Sequence, residues 1–293
     1  MPEEVLLWLK ALKVPVRSLF YIILLTCCPA NSQERLMIDF SDKSCNKAID
    51  DRISNLSSLT DGTFVENNIK CPSVDYFKPS KPNGTAVLLI PGGGLYALFS
   101  DNEGLQLAEW LSSQGVSVFL FRHVLKQSLT SNPAQDLLKH FSLKSDYSKI
   151  LGDPVYARAV LDARSAMQYI KECSAEMDVR PDRIGVMGFS TGAAIAAELF
   201  ITGTSQMRPG FLISMDGFTA RDKKVPPSAS GPVFLGSILS SPLQENEQSI
   251  KLYQAFNGSD YNVELHIYKS GMEEQKSDIA WKSDVIRFLK ALN

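Results

Sequence analysis

From about residue 74 onward, short apolar runs alternate with longer stretches in which apolar residues return every three to four positions. The runs at 86–90, 116–121, 184–189, 211–215, 233–238 and 263–268 read as strands, with a further short strand at 74–77. The run Ala86-Val87-Leu88-Leu89-Ile90 has no polar alternation, as a parallel strand covered on both faces requires. Between them, 102–113 places Leu105, Ala108 and Leu111 on one helical face, and 156–173 does the same with Val160, Met167 and Ile170. Further helices are predicted at about 247–256 and 279–292, and a small-residue helix follows the run at 184–189. Strands and helices in alternation predict an α/β fold with a doubly wound, mostly parallel sheet.

The rest of the chain lacks this rhythm. Residues 33–68 are polar and weakly periodic and read as an N-terminal arm with one short helix, ahead of a single domain at 69–293. Residues 126–152 are the least regular part of that domain, and short mixed helices there would fit a lid. Neither an internal repeat nor a second domain is evident.

At the start of the chain, Lys10, Lys13 and Arg17 precede the apolar run 19–25 and then Ala30-Asn31-Ser32. The run is too short to span a bilayer and reads as the core of a secretory signal, residues 1–32, cleaved before Gln33. That predicts a secreted or periplasmic protein with no stable membrane span after cleavage. Cys27 and Cys28 could suggest a lipoprotein, but Thr26 makes Leu24-Leu25-Thr26 a poor lipobox.

Charge changes the picture little. The chain has 293 residues and a net charge of -2, which implies no nucleic-acid partner. The predicted mature chain keeps Cys45, Cys71 and Cys173. An oxidising compartment would let Cys45 pair with Cys71 and leave Cys173 free; three unpaired thiols fit the count equally well. No cysteine pair has metal-ligand spacing, so neither a metal nor a cofactor is expected. Asn55, Asn83 and Asn257 each begin a glycosylation sequon.

Candidate chemistry is concentrated at Gly188-Phe189-Ser190-Thr191-Gly192, between the strand at 184–189 and the helix that follows. This is G-x-S-x-G in a strand–turn–helix setting, the nucleophile elbow, which lifts the Ser190 hydroxyl above the end of the sheet. Gly188 and Gly192 remove side chains that would clash across so tight a turn. The Thr191 amide, at the helix start, points toward the space an oxyanion would occupy. Upstream, Pro91-Gly92-Gly93-Gly94 follows the strand at 86–90, and a loop there must bring its amides, Gly92 and Gly93 first among them, close to Ser190. The plain alternative for either motif is a glycine-rich turn of no chemical meaning.

Together with Glu103-Gly104, Ala108-Glu109-Trp110-Leu111, Pro181-Asp182-Arg183-Ile184-Gly185 and Glu264-Leu265-His266-Ile267-Tyr268, these motifs resemble the secreted carbohydrate acetylesterases of the α/β-hydrolase fold, the acetylxylan-esterase-like enzymes. The resemblance runs from about residue 70 to 293. It implies an α/β-hydrolase fold, Ser190 as nucleophile, and a small-molecule or polysaccharide ester as substrate.

The chain departs from that pattern where a serine hydrolase needs its base and acid. The family's Asp-Asp pair after the strand at 233–238 reads Ser240-Ser241 here, with Ser241 at the acid position. The family's histidine loop reads Gly271-Met272-Glu273-Glu274-Gln275, with Glu273 at the histidine position. The family's Tyr-Arg after the strand at 116–121 is His123-Val124. Of the three histidines, His266 lies inside a strand and His140 in the lid-like stretch, so His123, at a strand's carboxyl end, is the candidate substitute base. Two readings follow: a serine esterase with an unconventional base, or a pseudoenzyme that binds a carbohydrate or acyl ligand without turning it over.

Overall fold

The computed structural model describes residues 33–42, 45, 55–58, 64–128, 147–204, 206–219, 231–238, 245–256, 262–268 and 274–292. The predicted leader, most of the predicted lid, and Ser241 and Glu273 lie outside the described residues.

The strands, in chain order, are β1 (Gln33–Leu36), β2 (Asn55–Ser58), β3 (Phe64–Asn67), β4 (Ser73–Phe77), β5 (Ala86–Ile90), β6 (Ala97–Leu98), β7 (Ser117–Arg122), β8 (Ile184–Phe189), β9 (Leu212–Met215), β10 (Val233–Ile238) and β11 (Val263–Tyr268). The α-helices are α1 (Gln106–Ser113), α2 (Tyr147–Leu151), α3 (Pro154–Glu172), α4 (Thr191–Thr202), α5 (Glu245–Phe256) and α6 (Glu274–Ala291). An eight-stranded sheet runs β1-β4-β7-β5-β8-β9-β10-β11. From β7 to β11 every pairing is parallel, while β1–β4 and β4–β7 are antiparallel. The predicted doubly wound, mostly parallel sheet is therefore present.

The all-apolar run at β5 is buried at every position because β5 sits between β7 and β8, with layers on both faces. On one face Val87 and Leu89 join Leu107, Leu111, Trp281 and Phe288 in a core under α1 and α6. On the other, α4 packs against β5, β8 and β9, and α3 packs on α4. Helix α3 starts where its sequence says it should: Asp153 is extended, its carboxylate accepts from the Val155 amide at 2.9 Å, and Pro154 occupies the first turn.

The described residues of the arm carry strands that its sequence does not predict. β1 is the edge strand of the large sheet and pairs antiparallel with β4, and β2 and β3 join β6 of the domain in a separate antiparallel sheet. Leu36, Ile38 and Phe40 are buried and the intervening Met37 and Asp39 are exposed, a period-two pattern in a stretch that is polar on average. Cys45 and Cys71 form a disulfide with Cα atoms 5.4 Å apart, and Cys173 is a buried thiol outside it. Ser41 donates through its amide and its hydroxyl to buried Asp162 on α3, which further ties the arm to the domain.

Candidate active site

β8 ends at Phe189, and Ser190 then turns the chain at φ 46°, ψ -115°, before α4 begins at Thr191. A serine in that region is strained, and its surroundings hold it there. The Ser190 amide donates to the Met215 carbonyl of β9 at 2.9 Å. Helix α4 crosses so close to the strand ends that the glycines are obligatory. A Cβ on Gly188 would lie 2.6 Å from the Ala193 nitrogen, and one on Gly192 would overlap the Ile90 carbonyl and lie 2.5 Å from that of Pro91. Ser190 itself is half-buried at the sheet's carboxyl edge.

The triple-glycine loop approaches as its sequence predicts. A Cβ placed on Gly92 would sit 3.2 Å from the Ser190 Cβ and 3.1 Å from Glu103 Oε2. The three loop amides have different fates. Gly92 donates to the Glu103 carboxylate at 2.7 Å, and Gly94 donates to the Thr191 hydroxyl at 3.1 Å. Gly93, at φ 137°, has its carbonyl bonded to the Tyr96 and Ala97 amides, and a side chain there would collide with the Ala97 carbonyl. The amides at Gly93 and at the start of α4 are therefore the ones not drawn into this network. Sequence reasoning missed Glu103's role, because its reach back across eleven residues to Gly92 depends on the π-type turn Ser100–Leu105.

The histidines are elsewhere engaged. His123 follows β7 and is fully buried; its Nδ1 lies 2.8 Å from the Val124 carbonyl and its Nε2 has no hydrogen-bond partner. Burial pushes its pKa down to about 4, against the Val124 contact, so the ring is neutral at pH 7. His266 sits within β11, stacked on Phe234 and bonded through Nε2 to Glu264 at 3.0 Å. Neither reaches Ser190 with a hydrogen bond, and His140 lies outside the described residues.

Two carboxylates near the sheet's carboxyl edge carry opposite shifts. Asp75 would be raised by its burial, but Arg35 and Arg122 outweigh that and hold it below the usual carboxylate range. Arg122 also donates to Glu66 at 2.8 Å, joining β3, β4 and β7 just before His123. Asp216, immediately after β9, is raised by burial, only partly offset by the Ile238 amide at 2.8 Å and the Ser237 hydroxyl at 3.2 Å.

A cavity of about 200 Å³ adjoins the glycine loop, lined by Gly94, Leu95, Tyr96, Lys126, Lys149, Ile150 and Asp153. Lys126 lies 2.6 Å from Asp153 and over the Tyr96 ring. A second, of about 420 Å³, lies between α3 and α4 and is lined mainly by apolar side chains such as Tyr156, Val160, Ala194 and Phe218. Ser190 lines neither. Among the described residues there is no cluster of metal-ligating side chains, and no helix is long and apolar enough to cross a membrane.

Sheet order, elbow and glycine loop together define the α/β-hydrolase fold. The structure is similar to that of an α/β-hydrolase enzyme from a Medee basin deep-sea metagenome library, with TM-score 0.58 and 19% identity, covering 82% of this chain and 98% of that one. It is also similar to an acetyl ester-xyloside bifunctional hydrolase from Caldicellulosiruptor lactoaceticus, with TM-score 0.52 and 17% identity, covering 74% and 85%. In sequence, 160 residues are 26% identical to an acetylxylan esterase of Xylanibacter ruminicola, a stretch that makes up 55% of this chain and 28% of that protein. No protein-family model matches the chain.

Proposed function

We propose that this protein is an ester-binding member of the α/β-hydrolase class that keeps the serine and oxyanion side of a carbohydrate acetylesterase site and lacks the base needed for turnover. The observation that carries this reading is Ser190, held at the elbow beside the glycine loop, with neither described histidine hydrogen-bonded to it. The Gly93 and Thr191 amides are the oxyanion donors in this reading, since Gly92 is committed to Glu103. Glu273 at the histidine position supplies the reason for the missing base, and Ser241 stands at the family's acid position.

Without an imidazole, the Ser190 hydroxyl stays protonated at neutral pH and has no group to pass its proton to the leaving alcohol. In a serine protease, losing the histidine costs about as much as losing the whole triad, roughly a millionfold in turnover. A residual ~10³–10⁴ over water survives there from the oxyanion hole and binding. An active esterase using His123 is the weaker reading, because that ring is fully buried and faces the Val124 carbonyl.

The ligand class, an acetylated carbohydrate or a related small ester, is supported by the acetylxylan esterase relative and by the xyloside-hydrolase neighbour. A place outside the cytoplasm, secreted or periplasmic, is supported by the leader pattern at 1–32 and by the Cys45–Cys71 bond. Calorimetry tests the binding claim. Acetylated xylo-oligosaccharide should bind about tenfold more tightly than the deacetylated form, the worth of one or two hydrogen bonds. Ser190→Trp should remove the difference. Equal affinity for the two forms, or no binding of either, overturns the proposal.

A further inference from the structure

Asp216 has no part in the site as described so far, yet it is built like a functional residue. It is a non-glycine residue at φ 50°, and Ser190, at φ 46°, is its counterpart at the end of the adjacent strand. Strained, well-supported residues of this kind cluster at functional sites. Its carboxylate is half-buried and takes hydrogen bonds from the Ile238 amide and the Ser237 hydroxyl, both at the end of β10. Among the described residues, no lysine, arginine or histidine contributes to its electrostatics. The neighbouring chain fixes it beside the elbow. The residue before it, Met215, accepts the Ser190 amide. The residue after it, Gly217, is so close to the first turn of α4 that a Cβ there would lie 3.2 Å from that of Ala193.

This is the end of the sheet from which the family resemblance draws its acid: Ser241 lies three residues beyond Ile238. Resting on the reading of Ser190 as a nucleophile, we infer that Asp216 supplies the acid of the triad from the end of β9, as a positioning residue for an imidazole, so that the site lacks the histidine alone. The Ser190 Oγ, an imidazole and the Asp216 carboxylate are then the three points of the relay. The imidazole takes the Ser190 proton on one nitrogen as Oγ bonds to the electrophile. Its other nitrogen donates N–H to Asp216, which stays ionised, and the leaving group departs with the electron pair of the bond it breaks.

Free imidazole can take that part in the wild-type protein. The readout is the rate at which a fluorophosphonate labels Ser190, located by peptide mass spectrometry; the Oγ–P bond forms and fluoride leaves. Imidazole should raise the rate by at least ~10-fold, less than the ~10²–10⁴-fold of a tethered general base because the free base must first bind. 1-Methylimidazole accepts a proton equally well but has no second N–H for Asp216, so it should give little acceleration. Asp216→Asn should lose most of the imidazole effect, and Ser241→Ala should keep it. Equal acceleration by the two bases, no acceleration by either, or a full imidazole effect in Asp216→Asn overturns the assignment while leaving Ser190 as a reactive serine. If Ser190 takes no label under any condition, the nucleophile reading fails, and the role of Asp216 fails with it.

Discussion

Replacing Gly192 with alanine tests how the elbow is held. The new Cβ would meet the Ile90 carbonyl, and it would lie 2.5 Å from the Pro91 oxygen and 2.8 Å from the Ile90 carbonyl carbon. All of these are backbone atoms, at the end of the central strand β5, and none can swing aside as a side-chain tip would. Relief requires moving β5 and its glycine loop away from α4 by roughly an ångström, since ordinary carbon contacts lie at about 3.5–4.0 Å. Overpacking of this kind costs about 1–3 kcal/mol, occasionally more, and a backbone clash belongs at the upper end. Gly104→Ala is the control, because its Cβ would meet only side-chain carbons, the ends of Leu120 at 3.4 and 3.5 Å and the Pro91 ring at 3.7 Å, all ordinary contacts. Urea unfolding followed by the fluorescence of Trp110 and Trp281 reads both. With a slope of about 3 kcal/mol per molar, Gly192→Ala should lower the midpoint by about 1 M and Gly104→Ala should lower it far less. Equal shifts in the two variants would refute the packing argument for the elbow.

Acid stability should carry the signature of the Arg35–Asp75–Arg122 contacts. Because Asp75 is held below its ordinary value of 3.8, its contribution is present above that pH and is lost as pH falls through the lower folded value. Asp162 and Asp216, raised by burial, act in the opposite sense. Asp75→Asn should therefore flatten the fall in unfolding free energy below pH 5, and an unchanged pH slope would count against the pairing. Replacing both Cys45 and Cys71 with serine should cost about 3 kcal/mol, as expected for a closed loop of this size, and show as a lower urea midpoint. Mass spectrometry of the exported protein should find an N-terminus near Gln33, and a chain retaining 19–25 would exclude signal cleavage there.

Much of the domain was legible because its strands are parallel and doubly covered. Val233–Ile238, paired on both sides and buried up to its last residue, has the bounds its apolar run predicts. The arm was not, because β1 is an edge strand whose pairing with β4 supplies what its composition does not. β6 spans two residues, too few for any period to register. In the site, Gly188, Gly192 and Ser190 could be read directly, since a local turn dictates their types. Glu103 and Asp216 could not. One acts through a turn with π-type geometry, and the other through hydrogen bonds to a strand more than twenty residues on.

The central claim is that Ser190 keeps its setting but has no base to activate it. Steady-state hydrolysis of p-nitrophenyl acetate by the purified protein, beside Ser190→Ala, tests it most directly. The account predicts turnover at or near background in both, within error of each other, as loss of the histidine from a serine triad implies at about a millionfold. Robust wild-type hydrolysis that disappears in Ser190→Ala would contradict it.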